Sequence, residues 1–233
     1  MKEDTIFALS SGSGRAGLAV FRISGRKALQ TLKSLTGITE PKARHAYRVE
    51  LINNIDNETI DDGIAIFFPN PKSFTGEDVL ELHLHGSIAV IREMTEVLSR
   101  FIGVRIANAG EFTKRAFDNG KLDLTMVEGL ADLVNAETKE QKKQAHKQLR
   151  GEFSELCRGW KETLVHAITL YEAGIDFADE DLPADLIDGV HEEIDKLEGE
   201  LEKHLTRSEK SSYIRDGFQV AILGPPNSGK SSI

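Results

Sequence analysis

The sequence predicts an α+β domain, then an all-α helical domain, and at its C-terminal end the first strand and phosphate-binding loop of an α/β domain. Short apolar runs between turn-forming residues continue to about residue 120, as strands and their connections do. Beyond that point apolar residues recur every three or four positions, which is typical of helices. A new apolar run at 218–223 precedes the letters GPPNSGKSS. We therefore divide the chain into residues 1–119, 120–215 and 216–233.

Strands are predicted in the first domain at 18–23, 47–52, 63–68 and 79–85, with a weaker strand at 103–107. Two helices interrupt them. The first has Ser24 as its candidate N-cap and Gly37 just beyond its end, and the second runs from Ser87 to Phe101. Strands separated by helices in this order predict a sheet that is covered on one face.

The second domain is predicted to be a bundle of long helices. Thr125 followed by Glu128 has the spacing of a capping box at a helix start. Apolar residues at helical spacing then occupy 149–171 and again 187–205, and an acidic segment containing Pro183 separates the two stretches.

Composition excludes several classes of protein. The 233 residues contain 29 Lys and Arg against 38 Asp and Glu, and residues 151–216 alone hold 7 basic and 18 acidic side chains, so a domain-wide basic surface for nucleic acid is not expected. One cysteine, Cys157, excludes a disulfide-stapled fold. No apolar run approaches the length of a membrane span, and the acidic start is unlike a signal peptide. We expect a cytoplasmic protein with no membrane association.

The strongest motif lies at the C-terminal end. Gly224, Gly229, Lys230 and Ser231 fit the pattern G-x-x-x-x-G-K-[ST] directly after a predicted strand. In such a loop the backbone N–H groups wrap the phosphates of a nucleotide, the lysine contacts the outer phosphates and the serine hydroxyl binds magnesium. The sequence therefore predicts a nucleotide-binding loop.

The chain stops two residues after Ser231, before any carboxylate for the metal or loop for the base. We expect it to be the front part of a longer protein, with no catalytic residue of its own. The 233-residue chain alone is expected to be inactive towards nucleotides.

Several stretches of the sequence resemble the tRNA modification GTPase family MnmE, also called TrmE. They are TIFALSS, GLAVFRISG, SFTGEDVLELHLHG, ANAGEFTKRAFDNGKLDL, AGIDFADED and the loop GPPNSGKSS, in that order. The resemblance covers residues 5–233 and implies a folate-binding N-terminal domain, a helical domain and a GTPase domain. It implies a homodimer formed through the N-terminal domain that, with an FAD-dependent partner enzyme, modifies the wobble uridine of tRNA.

The resemblance also implies roles for particular residues. Arg22, Glu81 and Lys121 stand at positions that bind formyl-tetrahydrofolate, whose glutamate tail suits Arg or Lys and whose pterin N–H groups suit a carboxylate. The resemblance also implies that seven residues of the C-terminal loop bind GTP, with Asn227 contacting potassium and Ser231 contacting magnesium. That set is Gly224, Asn227, Ser228, Gly229, Lys230, Ser231 and Ser232.

Other polar residues carry weaker signals. A polar turn before a predicted strand lies, in the family, near the folate site, and by its residue types alone it is simply a turn; it consists of Ser73, Thr75, Gly76, Glu77 and Asp78. His83 and His85 alternate along a predicted strand, but no third metal ligand is placed beside them. A basic stripe at helical spacing is interpreted as a solvated helix face in preference to a tRNA contact. Its members are Lys139, Lys142, Lys143, Lys147 and Arg150.

Two other functions remain open at this point. One alternative to the GTPase is a folate-binding dimerisation module without catalysis. The other is the start of a P-loop ATPase or kinase that carries an unrelated regulatory domain. A guanine-reading N-K-x-D motif further along the protein would favour the GTPase.

Overall fold

The computed structural model describes residues 4–12, 14–176, 185–216, 221 and 223–225. It has two compact units, Met1–Asp123 and Leu124–Ile233. The first unit combines a sheet with helices and the second is helical, which confirms the predicted fold class for these two parts. The predicted C-terminal strand and phosphate-binding loop lie outside the described residues, apart from positions 221 and 223–225.

The first unit is built on a six-stranded sheet with the order β3-β4-β5-β2-β1-β6. All neighbouring strands are antiparallel except β1 and β6, which are parallel. The strands are β1 (Thr5–Leu9), β2 (Ala16–Ser24), β3 (Ala46–Ile52), β4 (Thr59–Phe68), β5 (Val79–Gly86) and β6 (Val104–Ile106). Strand β1 was not predicted, because its first three residues are all buried and show no alternation of apolar and polar side chains.

Helices α1 (Ala28–Thr36) and α2 (Ile88–Arg100) contribute the helical side of the core. Their buried residues, among them Leu32 and Met94, pack in one cluster with Phe21 and Leu82 of the sheet. Side chains alternate between the two faces of a strand, so the intervening residues of β2 and β5 project from the opposite face. That second face carries the candidate site.

The predicted N-cap of the first helix is wrong. Helix α1 begins at Ala28, and the residue before it is Lys27. The hydroxyl of Ser24 is instead buried in contact with Thr75 Oγ1 at 2.7 Å and donates to Glu77 Oε2 at 2.8 Å. Gly37 does end the helix in the left-handed conformation, with φ 73°, as predicted.

A third helix, α3 (Glu111–Asp118), was not predicted. Gly110 precedes it with φ 74°, in the left-handed region that glycine adopts most readily. The segment that connects β4 to β5, residues 69–78, is tied to the helix C-terminus because Asn119 Nδ2 donates to the carbonyl of Thr75 at 2.7 Å. Helix α3 and this β4–β5 loop together form one side of the candidate site.

The second unit contains α4 (Leu124–Asn135), α5 (Lys139–Leu149), α6 (Glu152–Asp176) and α7 (Asp185–Asp216). The predicted capping box at Thr125 is wrong, because α4 already begins at Leu124. A capping box stands instead at the start of α5, between Thr138 and Gln141. Among the described helices, none combines the length and apolar character needed to cross a membrane.

Candidate functional site

Arg22 and Glu81 form an ion pair on the second face of the sheet. They stand directly opposite each other on β2 and β5. Arg22 donates from Nε and Nη2 to Glu81 Oε1, at 3.0 and 2.8 Å. Their side chains are 28% and 18% exposed, so the pair is largely shielded yet still open to a ligand. The structure therefore brings together two of the three residues to which a folate contact was assigned.

Two phenyl rings flank the guanidinium of Arg22. Its Cζ lies 5.4 Å from the ring centroid of Phe74, in the β4–β5 loop, and 6.0 Å from that of Phe112, in α3. Rings at this distance attract a cation because the quadrupole of the ring places partial negative charge on its faces. They also offer flat apolar surfaces next to a polar pair. Neither ring was predicted to be a site residue, since they lie 52 and 90 positions from Arg22 along the chain.

His83 lies on the same face as the pair. Its Nε2 is 3.4 Å from Glu81 Oε2, so both oxygens of Glu81 have a neighbouring nitrogen. His85 is occupied elsewhere: its backbone N–H donates to Asp61 Oδ2 at 2.7 Å and its Nδ1 lies 2.8 Å from Asp61 Oδ1. The hydrogen bond and the charge of Asp61 raise the pKa of His85 above its usual value. The two histidines thus have different carboxylate partners.

Within the described residues, no group of three His, Cys, Asp or Glu side chains is arranged to hold a metal ion.

Lys121 reaches the β4–β5 loop from just beyond α3. Its Nζ donates to the carbonyl of Pro71 at 3.0 Å. Its backbone N–H donates to Ala116 at 2.8 Å, which fixes the turn after the helix. Lys121 is exposed, and the hydrogen bond of its ammonium group goes to this loop instead of Glu81. The third predicted folate residue thus contacts the loop that carries Phe74.

A shielded network of charges holds α3 to the β4–β5 loop. Arg115, which is 8% exposed, donates from Nη1 to both carboxylate oxygens of Glu77, at 3.2 and 3.0 Å. Its Nη2 donates to Glu111 Oε1 at 3.2 Å. Glu111 is also paired with Arg105, at 2.6 and 2.9 Å. Because Phe74 lies in the loop and Phe112 in the helix, this network positions the two rings around Arg22.

Glu111 is the most strongly perturbed group of this network. Its pKa falls from 4.5 to about 2, chiefly because Arg105 donates hydrogen bonds to its carboxylate. Burial acts in the opposite direction, while the N–H of Asn108 and the guanidinium of Arg115 lower the pKa further. Glu111 is therefore ionised throughout the ordinary pH range.

The same network forms one wall of a cleft of about 700 Å³ in the first unit. Arg26 and Lys114 contribute positive charge to this cleft and Asp118 contributes negative charge, so its lining has no dominant sign. Arg22, Glu81 and Lys121 are absent from the described residues that line it. The cleft is a second feature of the unit, separate from the aromatic and charged cluster.

The predicted nucleotide-binding residues are almost all outside the described part of the chain. Gly224 is described and exposed. The remaining predicted GTP, magnesium and potassium contacts lie outside the described residues. These are Asn227, Ser228, Gly229, Lys230, Ser231 and Ser232.

Two family models match the chain. Residues 5–121 match the GTP-binding protein TrmE N-terminus, and residues 124–224 match the MnmE helical domain. The first match contains the Arg22–Glu81 pair, both phenyl rings and Lys121. The second begins where the helical unit begins.

Individual relatives are similar over nearly the whole chain. A tRNA modification GTPase MnmE of Parvibaculum lavamentivorans is 49% identical over 230 residues, which is 99% of this chain and 52% of that protein. The protein of the same name from Rickettsia bellii is 48% identical, with the same coverage of both chains. The rat mitochondrial 5-taurinomethyluridine-[tRNA] synthase subunit GTPB3 is 47% identical over 98% of this chain and 47% of its own length. The chain thus spans about half the length of the curated relatives it matches.

Proposed function

The chain belongs to the TrmE family of GTP-binding proteins, and on this basis we propose that the protein is a GTPase that modifies the wobble uridine of tRNA. The names of its relatives support GTP hydrolysis and a tRNA substrate. The structural observation that carries the proposal is the Arg22–Glu81 pair between Phe74 and Phe112, which we assign as a folate site.

The chemistry of this cluster suits a reduced folate. A folate combines a flat pterin with N–H donors, an aromatic linker and an anionic glutamate tail. Glu81 accepts hydrogen bonds on Oε1 and has further lone pairs for pterin N–H groups. Phe74 and Phe112 offer ring faces, and the exposed ammonium group of Lys121 is suited to a tail carboxylate. We assign formyl-tetrahydrofolate as the form bound, a one-carbon donor for the modification.

Replacing Arg22 with Ala should weaken binding of formyl-tetrahydrofolate by roughly 1.5 to 3 kcal/mol, which is about 10- to 150-fold in Kd. The loss has two causes: a charged donor disappears, and Glu81 loses the partner that orients it. Isothermal titration calorimetry on the chain and its variant measures the change directly.

A matched control is Arg92→Ala, since Arg92 is an exposed arginine on α2, which packs on the other face of the sheet. The control should bind folate like the unchanged chain. Circular dichroism spectra establish that both variants are folded. Absence of saturable binding by the unchanged chain at millimolar folate would contradict the folate assignment itself.

We assign the segment GPPNSGKSS to GTP, with Ser231 on magnesium and Asn227 on potassium. In the whole protein, GTP hydrolysis should be faster in potassium than in sodium, and Lys230→Ala should abolish it because the outer phosphates lose their cation. Phosphate release measures both effects. Equal rates in the two salts would remove the role of Asn227, and hydrolysis that survives Lys230→Ala would remove the role of the loop.

The proposal includes three partners and a location. We assign a homodimer formed through the first unit, an FAD-dependent modification enzyme, tRNA as substrate, and the cytoplasm as the site of action. Light scattering should give the mass of two chains, and a single-chain mass at every concentration tested would contradict the dimer.

A further inference from the structure

Helix α5 carries all its positive charge on one side. Lys139, Lys142, Lys143, Lys147 and Arg150, here called the basic face, lie on this helix and at its C-cap and are all exposed. At 3.6 residues per turn, these five positions fall within about 140° of the helix circumference. Lys139, Lys143 and Lys147 follow one another at intervals of about 6 Å along the axis. The buried Ala145 lies on the opposite side of the helix.

The cations of the basic face have few acidic neighbours. Within the part of the chain that the structure describes, their closest ion pair joins Lys147 Nζ to Glu152 Oε2 at 3.9 Å, between two exposed side chains. Glu140 is the single acid in α5. Residues 151–216 hold 18 acidic side chains, and among the described ones Glu152 is the one that forms an ion pair with the basic face. The positive charge of the basic face therefore remains available to a partner.

The helix that carries this charge is well anchored. The capping box between Thr138 and Gln141 fixes its start, and α5 packs on α4 and α6. Because the backbone is held, the five side chains start from fixed positions along the helix. Binding of a partner to this helix therefore does not cost the free energy of ordering its backbone.

An aromatic groove adjoins the basic face. Lys143 and Lys147 line it together with Phe153 of α6 and His204 of α7, and its volume is about 730 Å³. The His204 ring stacks on the Phe153 ring, with centroids 5.5 Å apart and planes at 15°. Cations beside flat rings are the combination with which proteins bind unpaired nucleotides.

We propose that the basic face of α5, with the adjoining groove, binds the phosphate backbone of tRNA. This inference rests on the proposed function, in which tRNA is the substrate. Successive lysines on one helix side neutralise successive phosphates and release their counterions, which gives affinity without reading sequence. The rings of Phe153 and His204 in the lining of the groove favour a nucleic acid over an acidic protein segment, because bases can stack on these rings and an acidic segment has no bases.

The test measures binding of fluorescent tRNA to the chain by anisotropy across a range of salt concentrations. The triple variant Lys139→Gln, Lys143→Gln, Lys147→Gln should reduce the slope of log K against log salt by about two, and should weaken binding about 100-fold near 0.1 M salt. A matched control, Lys161→Gln, Lys196→Gln, Lys203→Gln, removes the same charge from exposed lysines of α6 and α7. It should leave the slope nearly unchanged.

Each other outcome overturns the inference. An unchanged slope in the α5 variant, or an equal loss in the control, would show that the basic face is not the contact. Binding of polyglutamate but not tRNA, lost in the α5 variant, would assign the face to an acidic protein. Folate titration separates this inference from the proposed function: folate bound without tRNA contradicts only the basic face, whereas tRNA bound without folate contradicts only the folate site.

Discussion

Replacing Arg115 with Met should lower the free energy of unfolding of the first unit by about 3 to 5 kcal/mol. Arg115 is buried and bonded to the carboxylates of Glu77 and Glu111. Methionine fills a similar volume but leaves Glu77 with one hydroxyl partner, Ser24, inside a shielded region. Removing one member of a buried ion pair costs more than the pair contributes, because the remaining charge stays desolvated.

Urea unfolding followed by far-ultraviolet circular dichroism measures this change. The matched control is Arg100→Met, because Arg100 pairs with Glu96 at 3.8 Å on the surface of α2, where both side chains are more than half exposed. An exposed pair of this kind contributes about 0 to 1 kcal/mol. If Arg115→Met shifts the unfolding midpoint no more than Arg100→Met does, the network does not stabilise the unit.

The same variant should also weaken folate binding, although Arg115 is absent from the folate cluster. The network ties α3 to the β4–β5 loop, and these two segments supply the rings on either side of Arg22. If either segment is loosened, Arg22 and Glu81 stay paired across the strands, but Phe74 and Phe112 are no longer held beside them. Arg115 is in this sense a positioning residue.

The elements that sequence analysis predicted are those whose evidence is local. The apolar period of α2, the serine at its start and Gly37 after α1 are each visible within a few residues. Ser24 shows the limit of such evidence. Its hydroxyl suits a helix cap, yet tertiary partners 51 and 53 positions away use it instead. The helix then begins four residues further on.

The candidate site depends on pairings that no local pattern reveals. Arg22 and Glu81 are 59 positions apart, and only the register of β2 on β5 places them opposite each other. Resemblance to a family identified both residues but did not indicate that they bond. Glu111 and Arg115, by contrast, are four positions apart on one helix, so their contact was predictable once α3 was recognised. Without that helix, the network was not predicted.

Acid should destabilise the first unit through Glu111, by about 3 kcal/mol between pH 5 and pH 2. The pKa of Glu111 is about 2 in the folded chain and near its ordinary 4.5 once Arg105 and Asn108 no longer donate to it. In that interval the unfolded chain binds the proton more readily than the folded chain. The stability that Glu111 provides is therefore complete above about pH 4.5 and is lost as the pH falls towards 2.

The variant Glu111→Gln isolates this effect, because glutamine keeps the size of the side chain but does not titrate. Its stability should be lower than that of the unchanged chain at pH 5, and the difference should nearly vanish at pH 2. Urea midpoints at four or five pH values measure the two curves. Glu96→Gln, on the exposed surface of α2, is the control that should follow the unchanged chain.

His85 does not interfere with this measurement, because its titration has the opposite sign and a different pH window. Its pKa is raised from 6.5 by Asp61, so the stability it provides is present below that value and is lost as the pH rises through the folded pKa. Between pH 5 and pH 2, His85 stays protonated in the folded and unfolded chain alike. Curves for the unchanged chain and Glu111→Gln that stay parallel down to pH 2 would therefore show that the Arg105–Glu111 pair does not stabilise the fold.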